Sequence, residues 1–278
     1  MARILDQKIL DAFDSLPPLS ESVSALLPVM NKDSHTVRDV VEVLERDPIL
    51  AVRVLKVANS AAYARRIPAE TVMAAASYLG DVTILALAFR LSNAKTYESS
   101  LDGYQAVRGM LWEHSLKTAI AARMLASKAK TQLSPGIAYT AGLLHDIGKV
   151  VLSAFLKGTP EMTGDFLALE RATTKTDHAE VGAILAQRWK LPASIHEAIA
   201  WHHEPSKAAE MQKPLVYAVH LADMAAMISG AGTGVDSLAY RLDQSYVQYF
   251  DVTRKEMFKV INQMDLEFEK MQEALRGA

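Results

Sequence analysis

The sequence predicts an all-α protein, and three observations carry that prediction. Apolar residues recur at three- and four-residue spacing along most of the chain, strict alternation is scarce, and the periodic segments are bounded by proline, glycine and capping residues. Half of the 278 residues are hydrophobic, which is enough for a sizeable core in one large domain or two small ones.

The expected elements follow in chain order. Asp33-Ser34-His35 precedes the periodic Val37, Val40, Val41 and Leu44, so a helix is expected to start there. Asp47-Pro48 marks a break, because proline fits the first turn of the next helix. Residues 49–59 then read as a helix with Leu50, Val54, Leu55 and Val57 inward. A loop around Arg65-Arg66-Ile67-Pro68 leads to a helix over 71–79, closed by Gly80, and to another over 82–92. The polar, turn-rich stretch 97–103 reads as a connector. It divides an N-terminal helical region, residues 1–100, from a second helical region, 101–278.

In that second region, helices are expected over 112–130, 137–148, 177–190, 193–203 and 214–230, followed by a flexible loop at 231–234. Thr253-Arg254-Lys255-Glu256 has the form of a capping box. It opens a last helix with Val260, Ile261, Met264, Phe268, Met271 and Leu275 on one side. Core packing is a plainer account of that stripe than a docking face.

Composition excludes several classes. The net charge is −2 and the basic residues are scattered, so no nucleic-acid partner is expected. No basic segment followed by an apolar run opens the chain, and the longest apolar stretches, 82–89 and 150–156, fall short of the roughly 20 residues a bilayer requires. No membrane association is expected. The absence of cysteine excludes disulfides and thiolate ligands and suits the cytoplasm. Any metal site must therefore use histidine and carboxylate, which favours zinc, iron, manganese or nickel.

The chemistry-bearing residues gather around Gly142-Leu143-Leu144-His145-Asp146-Ile147-Gly148-Lys149. Neighbours on a helix point about 100° apart. His145 and Asp146 can therefore grip one metal at a helix end, or Asp146 can bridge two metals while His145 binds one. Gly148 allows another backbone or a ligand to approach closely, and Lys149 can meet an anion such as phosphate as a mobile point charge. His114 lies 31 residues upstream; His178, His202-His203 and Asp223 lie downstream. All fall on expected helices, and this set fits a site that activates water against a phosphate ester.

Each element also has a plainer account. His35, His196 and His220 read as surface or satisfied core histidines, with a local pair between His220 and Asp223. Asp177 reads as a helix cap. Helix C-termini attract histidine, which weakens the pair His202-His203 taken alone, and Lys149 taken alone reads as a solvated charge. The joint pattern carries the argument.

That pattern resembles the HD superfamily of metal-dependent phosphohydrolases. Leu16-Pro17-Pro18-Leu19, Asp47-Pro48-Ile49-Leu50, Val54-Leu55-Lys56-Val57-Ala58-Asn59-Ser60-Ala61 and Tyr78-Leu79-Gly80 narrow the resemblance to the HDOD family, over about residues 10–230. The resemblance implies a multi-helix HD-like bundle with an additional N-terminal helical subdomain. It implies a stand-alone, cytoplasmic signalling or regulatory protein of bacteria, acting on a protein partner or through a nucleotide or phosphoester ligand. Many members lack parts of the HD ligand set and are regarded as non-catalytic, whereas here every position is filled.

A retained divalent-metal site of iron, manganese, nickel or zinc is therefore expected, serving regulation, sensing or structure. The alternative is a phosphohydrolase. In it, His114, His145, Asp146 and Asp223 hold one metal, and His178, His202, His203 and the bridging Asp146 hold the other. Lys149 then contacts the phosphate. The chain is also similar to the HD-GYP phosphodiesterases of cyclic di-GMP. It lacks their Asp-Gly-x-Gly-Tyr-Pro segment, having Pro205-Ser206-Lys207-Ala208 after Glu204, and Met110 stands where some of them place a metal-binding glutamate. Weak or no cyclic-di-GMP hydrolysis and no third metal are expected.

Overall fold

A computed structural model describes residues 6–32, 34–63, 67–158, 166–235 and 240–276. Asp33, Arg65 and Arg66, to which the sequence assigns a helix start and a loop, lie outside the described residues. The helices are α1 (Gln7–Ser15), α2 (Glu21–Met30), α3 (Val37–Leu44), α4 (Pro48–Ala58), α5 (Val72–Leu79), α6 (Asp81–Tyr97), α7 (Met110–Ala126), α8 (Pro135–Leu144), α9 (Gly148–Leu152), α10 (Phe166–Thr174), α11 (His178–Arg188), α12 (Ala193–Trp201), α13 (Lys213–Ile228) and α14 (Arg254–Arg276). Among the described residues there is no β-strand, only isolated bridges at Leu101–Ala106 and Ala129–Phe250. The all-α expectation holds.

The chain divides into two compact units. One comprises Leu19–Ala94 and the end of the chain from Gln263; the other comprises Lys95–Asn262 and the residues before Leu19.

In the smaller unit, capping chemistry sets the helix boundaries. Helix α3 begins at Val37, later than Asp33-Ser34-His35 suggested, because Thr36 and Asp39 form a reciprocal box. The Asp39 carboxylate accepts the Thr36 N–H at 2.7 Å, and the Thr36 hydroxyl accepts the Asp39 N–H. His35 instead contacts Asp81 at 2.7 Å. Asp47 caps α4 by accepting the Leu50 N–H at 3.0 Å, and it also accepts the Ser22 hydroxyl. Asn59 accepts the Ala69 N–H at 2.7 Å and donates to the Ala69 carbonyl at 3.0 Å, tying the end of α4 to a residue ten positions on. Leu50, Val54 and Val57 are buried, while Leu55 is half-buried. Met264, Phe268 and Met271 of α14 are likewise buried, which accounts for the apolar stripe on that helix as core.

In the larger unit, α7 packs on α8 and α13, α11 on α12, and α9 on α11. Two glycines permit these approaches. A Cβ on Gly142 would lie 2.9 Å from the Thr118 carbonyl oxygen, and one on Gly148 would lie 1.9 Å from the His178 carbonyl oxygen. The expected helix over 137–148 is in fact two, since α8 stops at Leu144 and α9 starts at Gly148, with His145-Asp146-Ile147 as the turn between them. Likewise α12 ends at Trp201, which leaves His202 and His203 just beyond it. Tyr97, expected in the connector, ends α6 and is buried edge-on to Trp112. Among the described residues no single helix is long and apolar enough to cross a membrane.

Candidate metal centre

Seven side chains from five places in the larger unit converge. His114 comes from α7 and Asp223 from the middle of α13. His145 and Asp146 come from the turn between α8 and α9. His178 is the first residue of α11, and His202 and His203 follow α12. None is more than 4% exposed.

They form two ligand groups. Asp146, His178, His202 and His203 each offer a donor atom within 4.8 Å of the others, and so do His114, His145 and Asp223. Asp146 faces both groups. Its Oδ2 lies 3.4 Å from His114 Nε2 and 3.5 Å from His145 Nε2, while its Oδ1 lies 3.3 Å from His178 Nε2 and 3.7 Å from His202 Nε2. Asp223 Oδ1 lies 3.1 Å from His114 Nε2. Donors bound at about 2.0–2.2 Å around one ion sit roughly 3–3.5 Å from one another, so these spacings suit coordination.

The histidines are aimed by their second nitrogens. The Nδ1–H of His114 donates to the Ala231 carbonyl at 2.7 Å, that of His145 to Gly142 at 2.8 Å, and that of His202 to Ile199 at 2.7 Å. A carbonyl can only accept, so each Nδ1 carries the proton and each Nε2 is left as the inward atom. His178 differs, since its Nδ1 lies 2.9 Å from the Glu170 carboxylate, which also accepts the His178 backbone N–H at 3.0 Å and the Tyr104 hydroxyl.

This arrangement brings imidazole nitrogens against one another. His114 Nε2 and His145 Nε2 are 3.1 Å apart, and His178 Nε2 and His203 Nε2 are 3.0 Å apart. Between His114 and His145 a cation must lie, either a proton or a metal ion, whereas His203, whose Nδ1 is unbound, can also meet His178 by donating from Nε2. Asp146 Oδ1, His202 Nε2, His203 Nδ1 and Asp223 Oδ2 are buried with no hydrogen-bond partner among the described residues. Buried polar atoms left in this way are costly. They face in two pairs, Asp146 Oδ1 with His202 Nε2 at 3.7 Å and His203 Nδ1 with Asp223 Oδ2 at 3.8 Å, which fits a divalent metal with nitrogen and oxygen ligands.

The electrostatics agree. Burial pushes His145 down to about 3 and His203 well below the ordinary histidine range, so both stay neutral and able to coordinate. Burial opposes ionisation of Asp146, but the Lys149 ammonium and the surrounding histidines outweigh it and hold the carboxyl well below its usual range. Burial opposes protonation of His114 and His178, and the carboxylates of Asp223 and Glu170 more than offset it.

Lys149 corrects an expectation. It is not solvated: it is 1% exposed, with Nζ 2.7 Å from Asp146 Oδ2 and donating to Thr233 Oγ1 at 2.7 Å. Its ammonium also lies 5.6 Å from the Tyr104 ring centroid and 5.9 Å from that of Tyr240. Tyr240 in turn stacks on His203, with centroids 3.6 Å apart.

The other histidines fall outside the cluster. His220 donates from Nδ1 to the His202 carbonyl at 2.7 Å and accepts the Asp243 N–H at 2.9 Å, so it is a satisfied core histidine whose partners are not Asp223. His196 lines a separate cleft between α11 and α12. Asp177 caps α11 and is held by Arg171 at 2.7 Å; Arg171 also reaches Glu204 at 2.9 Å. Sequence reasoning missed Glu170, Tyr104, Thr233 and Tyr240. Nothing local marks a glutamate eight residues before a histidine as its partner.

The family model described as the HDOD domain matches residues 16–205. The chain belongs to the HDOD family. A Treponema pallidum (strain Nichols) protein of uncharacterised function is 28% identical over 231 residues, covering 79% of this chain and 44% of that protein. Ribonuclease Y of Thermus thermophilus is 35% identical over 106 residues, covering 38% of this chain and 15% of the enzyme. The chain thus spans less than half the length of these relatives. Among solved structures, an HDOD domain protein of unknown function from Geobacter sulfurreducens matches with a TM-score of 0.65 at 25% identity, over 93% of this chain and 88% of the other. A Shewanella amazonensis protein to which a phosphohydrolase role has been ascribed has a TM-score of 0.61 at 24% identity, over 97% of each chain, and shares the fold.

Proposed function

We propose that this HDOD protein is a bacterial cytoplasmic signalling or regulatory module with a retained metal centre, acting by binding a protein partner or a small ligand. One observation carries the reading: the ligand set is complete, with unpartnered donor atoms, yet closed off, since no ligand side chain exceeds 4% exposure and Tyr240 stacks on His203. Complete ligands support metal binding. Close burial supports a structural or sensing role for the metal, because turnover requires substrate and water at the ion. The test is elemental analysis of protein never exposed to chelator, paired with turnover assays on phosphodiester and nucleotide substrates. Near-stoichiometric iron, manganese, nickel or zinc with no turnover is expected. Metal-free protein would end the reading.

A second reading, a metal-dependent phosphohydrolase, is favoured by Asp146 facing both ligand groups and by Lys149 beside it. The local likeness to ribonuclease Y supports a phosphodiester as substrate class. A bound metal there supplies an activated water. His114, His145 and Asp223 would hold one ion and His178, His202 and His203 the other, while Lys149 neutralises charge beside Asp146. Turnover with manganese or iron that disappears in His145→Ala and Asp146→Ala would replace the first reading with this one.

A further inference from the structure

The two ligand groups are not equivalent. Asp146 Oδ2, the oxygen facing His114 and His145, already carries the Lys149 ammonium at 2.7 Å. Asp146 Oδ1 faces His178 and His202 at 3.3 and 3.7 Å; neither oxygen makes a hydrogen bond of ordinary geometry among the described residues, and the ammonium against Oδ2 is what distinguishes the two. In the first group His114 and His145 lean on backbone carbonyls, which are neutral. In the second, His178 leans on the Glu170 carboxylate, itself fully buried and fixed by the His178 backbone N–H and the Tyr104 hydroxyl. A carboxylate behind an imidazole makes it a stronger donor and locks its orientation. The second group also supplies three imidazoles, the set that borderline divalent cations prefer.

From this we infer that the centre loads in two steps. A nitrogen-preferring divalent cation enters first among His178, His202, His203 and Asp146 Oδ1, with Glu170 as the positioning residue of that position. The second ion, among His114, His145 and Asp223, binds more weakly because it must compete with Lys149 for Asp146 Oδ2. The centre thus holds one resident ion and one exchangeable ion. This rests on the proposed metal centre and adds an order and a cause to it.

The experiment is a Co²⁺ titration of chelator-stripped full-length protein against a chromogenic chelator, with the visible ligand-field spectrum recorded at each equivalent. Circular dichroism establishes that each variant is folded. Wild type is expected to bind two equivalents, the first at least tenfold tighter. Glu170→Gln keeps a hydrogen-bonding side chain but removes the charge. It should weaken the first step by about 10–100-fold, change the spectrum of the first equivalent and leave the second step in place. Lys149→Met should tighten the second step by roughly tenfold or more, since it removes a competing charge at contact distance. His178→Ala should abolish the first step, and His114→Ala should spare it. Two equal steps in wild type would overturn the order, whether or not the variants fold. A second step indifferent to Lys149→Met, or a first step indifferent to Glu170→Gln, would overturn the cause. No Co²⁺ bound to wild type would instead sink the metal-centre reading itself.

Discussion

Gly148→Ala should disable the metal centre without touching a ligand. A Cβ at this position would lie 1.9 Å from the His178 carbonyl oxygen and 2.7 Å from the Gly182 backbone nitrogen. Ordinary contact begins near 3.4 Å, so α9 and α11 must separate by about 1.5 Å, and neither obstacle is a flexible side chain. His178 opens α11, and Asp146 lies two residues before Gly148. The same displacement therefore lengthens the 3.3 Å between His178 Nε2 and Asp146 Oδ1. Coordination distances tolerate about 0.2 Å, so the ion shared by these two ligands should be lost. Overpacking of this kind also costs about 1–3 kcal/mol. Metal content by elemental analysis and urea unfolding with and without chelator measure the two effects. Loss of metal with a folded, destabilised protein is expected. Unchanged metal content and an unchanged unfolding midpoint would refute the argument from close approach.

Three further outcomes follow from the same geometry. In metal-stripped protein, Asp146→Asn leaves the buried Lys149 ammonium without its anion and should cost about 3–5 kcal/mol in urea unfolding; adding Lys149→Met should recover much of that, and strictly additive losses would contradict the pairing. Chelation of metal-loaded protein should lower the thermal midpoint, by the equivalent of about 2.7 kcal/mol where free metal had stood at 100 times its Kd, and identical melting curves would count against a folded-state metal. His35, half-buried, is raised above its ordinary value: burial lowers it, but the Lys32 carbonyl and Asp81 overcome that. Stability from the His35–Asp81 contact is therefore fully present below about pH 6.5 and is lost as pH rises through the folded-state value. It is worth no more than about 1 kcal/mol, and in a pH series of urea midpoints His35→Gln should remove that step while leaving the rest of the profile unchanged.

The helical architecture was legible because periodicity and caps are local. Asp47, Gly80, and Thr253 with Glu256 act where the sequence places them. The close approach at Gly148 was legible for the same reason. The ligand residues could be named because histidine and aspartate are few and their order is distinctive, but the shape they make was not readable. Residues 137–148 have unbroken helical periodicity, and only the packed structure reveals the break at His145-Asp146 that lets one carboxylate face two groups. Lys149 and Glu170 are long-range cases. A lysine on a periodic helix reads as solvated until Thr233, 84 residues on, is found beside it, and Tyr104 and Glu170 meet across 66 residues. Charged residues become interior only through partners that sequence spacing does not announce.

The break between α8 and α9 makes Asp146 a pin between two pairs of elements. One of its oxygens looks toward His114 of α7, which also faces Asp223 of α13, and the other toward the start of α11 and the end of α12. An ion on either side therefore crosslinks a different pair, and its departure should loosen only that pair. Occupancy would then be written as rigidity. Amide exchange in α11 and α12 would report one ion and exchange in α7 and α13 the other, so a protein that turns over nothing could still convert metal availability into a change in which surface is firm enough to bind.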